Sequence, residues 1–211
     1  MINHKTKCIF IHVPRTAGTS IEVAIQNQDQ WHVSRRRKHL IASTAKKIYK
    51  EYWDEYFKFA FVRNPWDRMI SLCKYGNFHP REYNRTYGCD IQSGKLNLGT
   101  YRERFSTGYE VDQRSYSADD KFKPAIPNAI YSNILNEKLD FIGKFETLQS
   151  DCEFISEKIK KKVVLAKKQE QSKHLHYLEY YTDEIKDNVR TMFEYDTEIF
   201  NYEFNAQLAN A

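Results

Sequence analysis

No stretch of this sequence is apolar for the roughly 18 residues that a membrane-spanning helix needs, because charged residues make up 29% of its 211 positions and interrupt every hydrophobic run. The polar segment Met1 to Lys7 passes directly into a short apolar run and has none of the extended hydrophobic core of a secretory leader. The expectation is a cytoplasmic chain with no membrane span. Cysteine is sparse: Cys8, Cys73, Cys89 and Cys152 stand far apart, without a C-x-x-C pair or a Cys/His spacing suited to zinc. Reduced, mostly buried thiols and a metal-free site are expected. Internal repeats and low-complexity blocks are also missing, as are RNP, zinc-finger and helix-turn-helix patterns, so nucleic acid is not the expected partner. The net charge of +5 is too mild to demand nucleic acid, yet it suits an anionic ligand. Oligomeric state leaves no mark on the sequence.

What is present describes one folded domain over residues 1–211. Hydrophobic residues reach 41%, inside the globular range, and the length suffices for one sizeable core. Tyr (15) and Phe (13) are abundant and could serve either a core or a ligand groove. Cys8 to Val13 is a nearly unbroken apolar run, the pattern of a strand buried on both faces. Ile21, Ala24 and Ile25 then recur at helical spacing beyond a tight loop. The same strand-to-helix grammar returns at Phe57 to Val62, where Asn64 and Pro65 supply an N-cap and a first-turn proline. Met69, Leu72 and Cys73 would form that helix's inner face. Leu139 to Gly143 predicts a third strand and 147–160 a helix; Val163 to Ala166 predicts a short fourth strand, and Tyr181 to Tyr195 a closing helix. Residues 76–128 show no sustained period and predict an irregular excursion on the acceptor side. Alternating strands and helices imply an α/β fold around a parallel sheet, with ligands beyond the carboxyl ends of the strands.

The loop Pro14-Arg-Thr-Ala-Gly-Thr-Ser20 lies where a strand delivers the chain to a helix N-terminus, so backbone N–H groups and two hydroxyls can converge on an anion. An ordinary turn capped by Thr19 or Ser20 explains the loop equally well. A nucleotide kinase would need G-x-x-x-x-G-K-[ST], but Val13 replaces the first glycine and Thr19 the lysine. The second junction reads Phe59-Ala-Phe-Val-Arg-Asn-Pro-Trp-Asp-Arg-Met-Ile-Ser71.

Together I-F-I-H-V-P-R-T-A-G-T-S and F-V-R-N-P-W-D-R-x-x-S resemble the 5'-phosphosulfate and 3'-phosphate signatures of sulfotransferases that use 3'-phosphoadenosine-5'-phosphosulfate (PAPS). The branch most resembled includes heparan sulfate 2-O-sulfotransferase and many small bacterial members. The likeness extends to Asp140-Phe-Ile-Gly-Lys-Phe-Glu146 and to Tyr180-Tyr-Thr-Asp-Glu184. It implies a P-loop NTPase-like three-layer domain, with a central parallel sheet flanked by helices. It also implies sulfuryl transfer to a hydroxyl or amine, without a required metal, releasing 3',5'-adenosine bisphosphate (PAP). A glycan or a hydroxylated small molecule is the implied acceptor.

By that resemblance Arg15, Thr16, Ala17, Gly18, Thr19 and Ser20 cradle the 5'-phosphosulfate, and Arg63 and Ser71 hold the 3'-phosphate. Relatives commonly carry Lys where this chain has Arg15. Arg supplies the charge but, with a pKa above about 12, does not readily release a proton. Ser172 and Lys173 fall where relatives close a loop over the 3'-phosphate, although Glu170 and Gln171 depart from the pattern. His39, between the two signatures, matches the position of the branch's catalytic histidine; an imidazole with an ordinary pKa near about 6.5 suits a general base. His32 and Glu22 are the alternatives. Glu146 is expected in a supporting ion pair, and Trp66 in the core.

Overall fold

The computed structural model describes residues 1–25, 39–78, 89–90, 95–96, 131–165 and 176–204. In chain order the elements are β1 (Ile2–Asn3), β2 (Cys8–Ile11), α1 (Gly18–Ile25), α2 (Ala42–Ile48), β3 (Phe57–Val62) and α3 (Pro65–Phe78). There follow β4 (Cys89–Asp90), β5 (Lys95–Leu96), α4 (Tyr131–Ile134), β6 (Phe141–Lys144), α5 (Leu148–Lys158), α6 (Asp183–Met192) and α7 (Glu194–Ile199). The chain divides into two compact units, Met1–Val62 with Glu110–Gln171 and Arg63–Tyr109 with Ser172–Ala211. Each is described by itself.

The first unit is built on a four-stranded sheet in the order β1-β2-β3-β6. β2 pairs in parallel with β3, from Cys8 opposite Phe57 to Ile11 opposite Ala60. β3 in turn pairs in parallel with β6. β2 is buried throughout and β3 from Lys58 onward, so both faces are covered, as their unbroken apolar runs require. The all-parallel expectation needs correction at the edge, where β1 runs antiparallel to β2. Only residues 4–7 connect these two strands, and a parallel return needs a dozen or more. The Asn3 Oδ1 accepts the Thr6 N–H at 3.0 Å and shapes this turn. The first strand also stops earlier than its apolar run: the Val13 N–H bonds to the Ile11 carbonyl at 3.1 Å, turning the chain out of the ladder at Ile11.

Two polar contacts and one glycine hold β3 against β6. Asp140 Oδ2 accepts the backbone N–H of Lys58 at 2.7 Å and its Nζ at 2.9 Å. The same buried ammonium donates to the carbonyls of Trp53 and Tyr56 at 2.9 and 2.8 Å. A Cβ at Gly143 would stand 2.6 Å from the Phe61 ring, so the strand needs glycine there. The third strand is displaced from Leu139–Gly143 to Phe141–Lys144. Along the sheet, Phe57, Phe59, Phe10 and His12 form a run of stacked rings, with successive centroids 5.9, 5.1 and 5.7 Å apart.

The expected helix over 147–160 is α5. Asp151 Oδ2 steadies its start, accepting from the Lys144 N–H and the Thr147 hydroxyl at 2.7 and 2.8 Å. The fourth strand expected from Val163 is not formed over 163–165. There the Val163 N–H bonds to Ser156 Oγ instead of a strand, and Val164 is 60% exposed. Helix α2 was not foreseen; Ala42 and Ala45 are its buried side.

In the second unit, Asn64 starts α3. Its Oδ1 accepts the N–H groups of Trp66 and Asp67 at 3.1 and 3.4 Å, while its Nδ2 donates to the Glu203 carbonyl. Trp66 is buried, as expected, and its indole N–H bonds to the Lys186 carbonyl at 3.0 Å. Its own carbonyl accepts the Tyr181 hydroxyl, and its ring meets Phe204 edge-on. The closing helix expected over 181–195 is two helices. Thr182 caps the first, and the backbone at buried Phe193 leaves the helical region at φ −110°, ψ 21°. The excursion begins later than residue 76, because α3 continues to Phe78. Within 79–130 the described residues are the antiparallel pair β4 and β5. No helix among the described residues is long and apolar enough to cross a membrane.

Candidate active site

The loop between β2 and α1 alternates in backbone handedness. Arg15 (φ 68°) and Ala17 (φ 63°) occupy the left-handed region, whereas Thr16 and Gly18 do not. Such alternation turns successive N–H groups inward into an anion-binding concavity. It costs on the order of 1–3 kcal/mol per non-glycine residue held there. Internal bonds support it: the buried Thr16 hydroxyl donates to the Val13 carbonyl at 2.9 Å, and the Ala17 carbonyl accepts the N–H groups of Ser20 and Ile21. Thr16 therefore braces the loop through its side chain. Thr19 and Ser20 are exposed on the first turn of α1, and Arg15 is half-buried.

Gly18 has a reason that the sequence reading lacked. A Cβ there would lie 2.1 Å from both Cδ2 and Nε2 of His12, so the imidazole fills the space a side chain would occupy. The His12 Nδ1–H donates to Glu22 Oε1 at 2.5 Å, with the two side chains only 3% and 8% exposed. Glu22, one of the alternatives for the base, is thus engaged with a buried partner. His12 was not singled out in the sequence; the available signal was a polar residue ending an otherwise apolar strand, which needs a buried partner.

His39 comes to the same place. Its Nδ1 lies 3.0 Å from the His12 backbone carbonyl, and the two rings meet edge-to-face with centroids 4.4 Å apart. A carbonyl can only accept, so Nδ1 carries the proton and Nε2 is the ring's basic nitrogen. The first unit therefore gathers Arg15, the alternating loop, His12, Glu22 and His39.

In the second unit Arg63 is 9% exposed, and its Nε and Nη2 both reach Asp67 Oδ2 at 2.6 Å. One carboxylate oxygen thus fixes the plane of the guanidinium. Ser71 is buried two turns along the same helix. Glu146 is half-buried in the turn after β6. His32, Ser172 and Lys173 lie outside the described residues.

Neither described thiol is tuned for nucleophilic work. Cys8 and Cys152 are free and buried. Burial pushes the Cys8 thiol up, and burial together with Asp151 and Glu153 pushes Cys152 to about 11. Among the described residues no group of three or more His, Cys, Asp or Glu could hold a metal ion.

Residues 1–203 match the Sulfotransferase family. Carbohydrate sulfotransferase 14 of Danio rerio is 29% identical over 120 residues, which cover 49% of this chain and 30% of that protein. The similarity thus spans less than a third of the relative's length. No solved structure matches significantly. With a match that runs through both units and across nearly the whole length, the chain belongs to the sulfotransferase family.

Proposed function

We propose that this protein transfers a sulfuryl group from PAPS to a hydroxyl or amine of an acceptor, with a carbohydrate hydroxyl the favoured target. The observation that carries the reading is the cationic, alternately handed loop of Arg15 to Gly18 at the start of α1. Its N–H groups and the helix dipole suit a phosphosulfate in place and charge. PAPS would supply an activated sulfuryl group on an anionic leaving group. The carbohydrate target is supported by the name of the zebrafish relative. We read residues 1–211 as one P-loop-like domain, a reading supported by the single family match through both units. The free thiols of Cys8 and Cys152 fit a reducing compartment such as the cytoplasm.

Each residue then has a defined task. Arg15 offsets charge on the leaving phosphate as a fixed cation, since it does not give up its proton. The N–H groups of the loop and of Gly18 to Ser20 orient the donor. His39 Nε2 takes the acceptor's proton as the oxygen or nitrogen attacks, because its Nδ1–H is committed to the His12 carbonyl. Arg63, held flat by Asp67, and Ser71 are assigned to the 3'-phosphate, with Ser172 and Lys173 assigned there by resemblance. Preorganised positive groups, with a positioned base, supply most of what such a transfer needs.

Ligand-induced stabilisation tests the donor. PAP at about a hundred times its dissociation constant should add about 2.7 kcal/mol, a rise of roughly 5–11 °C in Tm for a chain this size. ATP with magnesium should do much less. A melting point that responds to ATP and not to PAP would end the assignment. His39→Ala should keep PAP affinity while turnover falls by roughly two orders of magnitude or more. Normal turnover would remove His39 from the base role.

A further inference from the structure

The molecule holds a buried pair that the chemistry above does not use. His12 and Glu22 are both almost inaccessible, yet the His12 ring abuts Gly18 and the His12 carbonyl bonds to His39. An apolar pair of similar volume would fill the same space without desolvating a carboxylate, so packing alone is a weak reason for them.

The contacts of His12 are arranged on four sides. Glu22 Oε1 fixes its Nδ1. The face stacks on Phe10 at 24° between planes. The Nε2 and Cδ2 edge abuts the backbone of Gly18, where α1 begins. The ring also meets His39, while the backbone carbonyl of the same residue takes the His39 Nδ1–H. One residue thus touches both the base and the helix start that would orient the donor.

Resting on the sulfotransferase reading above, we infer that His12, locked by Glu22, is a positioning residue that holds His39 in its Nδ1–H tautomer and sets it against the start of α1. The carbonyl supplies the acceptor, and the clamped ring supplies the wall that keeps the His39 imidazole on it. In water the opposite tautomer of histidine is the commoner one, so the fold must actively hold this form. Without the Glu22 contact the His12 ring loses the bond that fixes its Nδ1, and the wall it presents to His39 loosens. Proton acceptance at Nε2 then occurs only in the fraction of molecules with the correct tautomer. The effect falls on kcat, not on donor binding, because the loop's own bonds to Val13 and Ala17 remain.

The test uses the full chain labelled with 15N at histidine, read by long-range proton–nitrogen correlation spectra in which the tautomer of each imidazole is visible. His39→Ala assigns the signal. Wild-type protein should show His39 protonated at Nδ1. Glu22→Ala should scramble that signature and lower kcat about tenfold or more, with KM for PAPS within about twofold. Glu22→Gln keeps an acceptor for His12 and should restore the tautomer and most of the turnover. A folded Glu22→Ala protein with an unchanged His39 signal would overturn the inference. So would a Glu22→Gln protein as defective as Glu22→Ala. Should Glu22→Ala not fold, the His39 tautomer in Glu22→Gln decides alone: retained, it supports the clamp; lost, it refutes it. The spectrum needs no acceptor or donor. Failure of the sulfotransferase reading would appear in PAP binding, and failure of this inference would appear in the histidine signal.

Discussion

Replacing Gly18 with alanine is the sharpest single perturbation of the candidate site. The added methyl would stand 2.1 Å from two atoms of the His12 ring, whereas ordinary contact begins at 3.4 Å, so the ring must retreat by about 1.3 Å. It has little room to do so, with Phe10 stacked on its face, the His39 ring packed against it and Glu22 bonded to Nδ1. Overpacking of this kind costs roughly 1–3 kcal/mol. A buried hydrogen bond to a charged partner, if broken, adds about 1–3 kcal/mol. Gly18→Ala should therefore destabilise by about 2–6 kcal/mol and lower Tm by roughly 4–24 °C. The decisive assay is a double-mutant cycle by denaturant unfolding, without ligand. In a His12→Ala background the obstacle is gone, and alanine at a helical position with negative φ should be neutral or stabilising by up to about 1 kcal/mol. The coupling then equals nearly the whole cost. A Gly18→Ala penalty of the same size in both backgrounds would refute the reasoning. No penalty in either would mean that glycine is required only for approach of a ligand.

Arg63→Ala should weaken PAP binding by roughly 10- to 100-fold, the loss of a charge-assisted contact, while barely affecting a nucleotide that lacks the 3'-phosphate. Calorimetric titration with both ligands checks this, and equal losses for the two would remove Arg63 from the 3'-phosphate. Asn64→Ala removes the cap of α3 and a bond to the Glu203 carbonyl, and should cost about 2 kcal/mol in urea unfolding. A thiol whose pKa is raised on folding is stabilising while protonated, and that contribution fades as pH climbs from 9.0 towards 11. Stability should accordingly decline over that window, and Cys152→Ser should flatten the decline. In native protein at pH 8, peptide mapping after iodoacetamide should find Cys152 unmodified; rapid labelling would contradict its burial.

The sequence was most legible where one local rule governed the outcome. Phe57–Val62 is the predicted strand to the residue, because a central strand buried on both faces leaves no ambiguity in its run. Asn64-Pro65 marked the start of α3 through capping chemistry that needs no tertiary partner. Errors arose where distant residues decide. Val163 resembles a strand but takes its bond from Ser156 after a helix end. The chain leaves the helical region at buried Phe193, although the helical spacing of apolar residues runs on past it. At the candidate site, the loop and His39 were read from motif and order. The His12–Glu22 bond was not, since a ten-residue separation across a turn carries no periodic signal.

The run of rings from Phe57 through Phe59 and Phe10 ends on His12, so the interior of the sheet and the candidate site at its rim share one continuous column. Drift in the hydrophobic core of this protein is consequently not silent. A smaller side chain at Phe59 would remove the plate between Phe57 and Phe10, so repacking that column should reach His12 as well as the core.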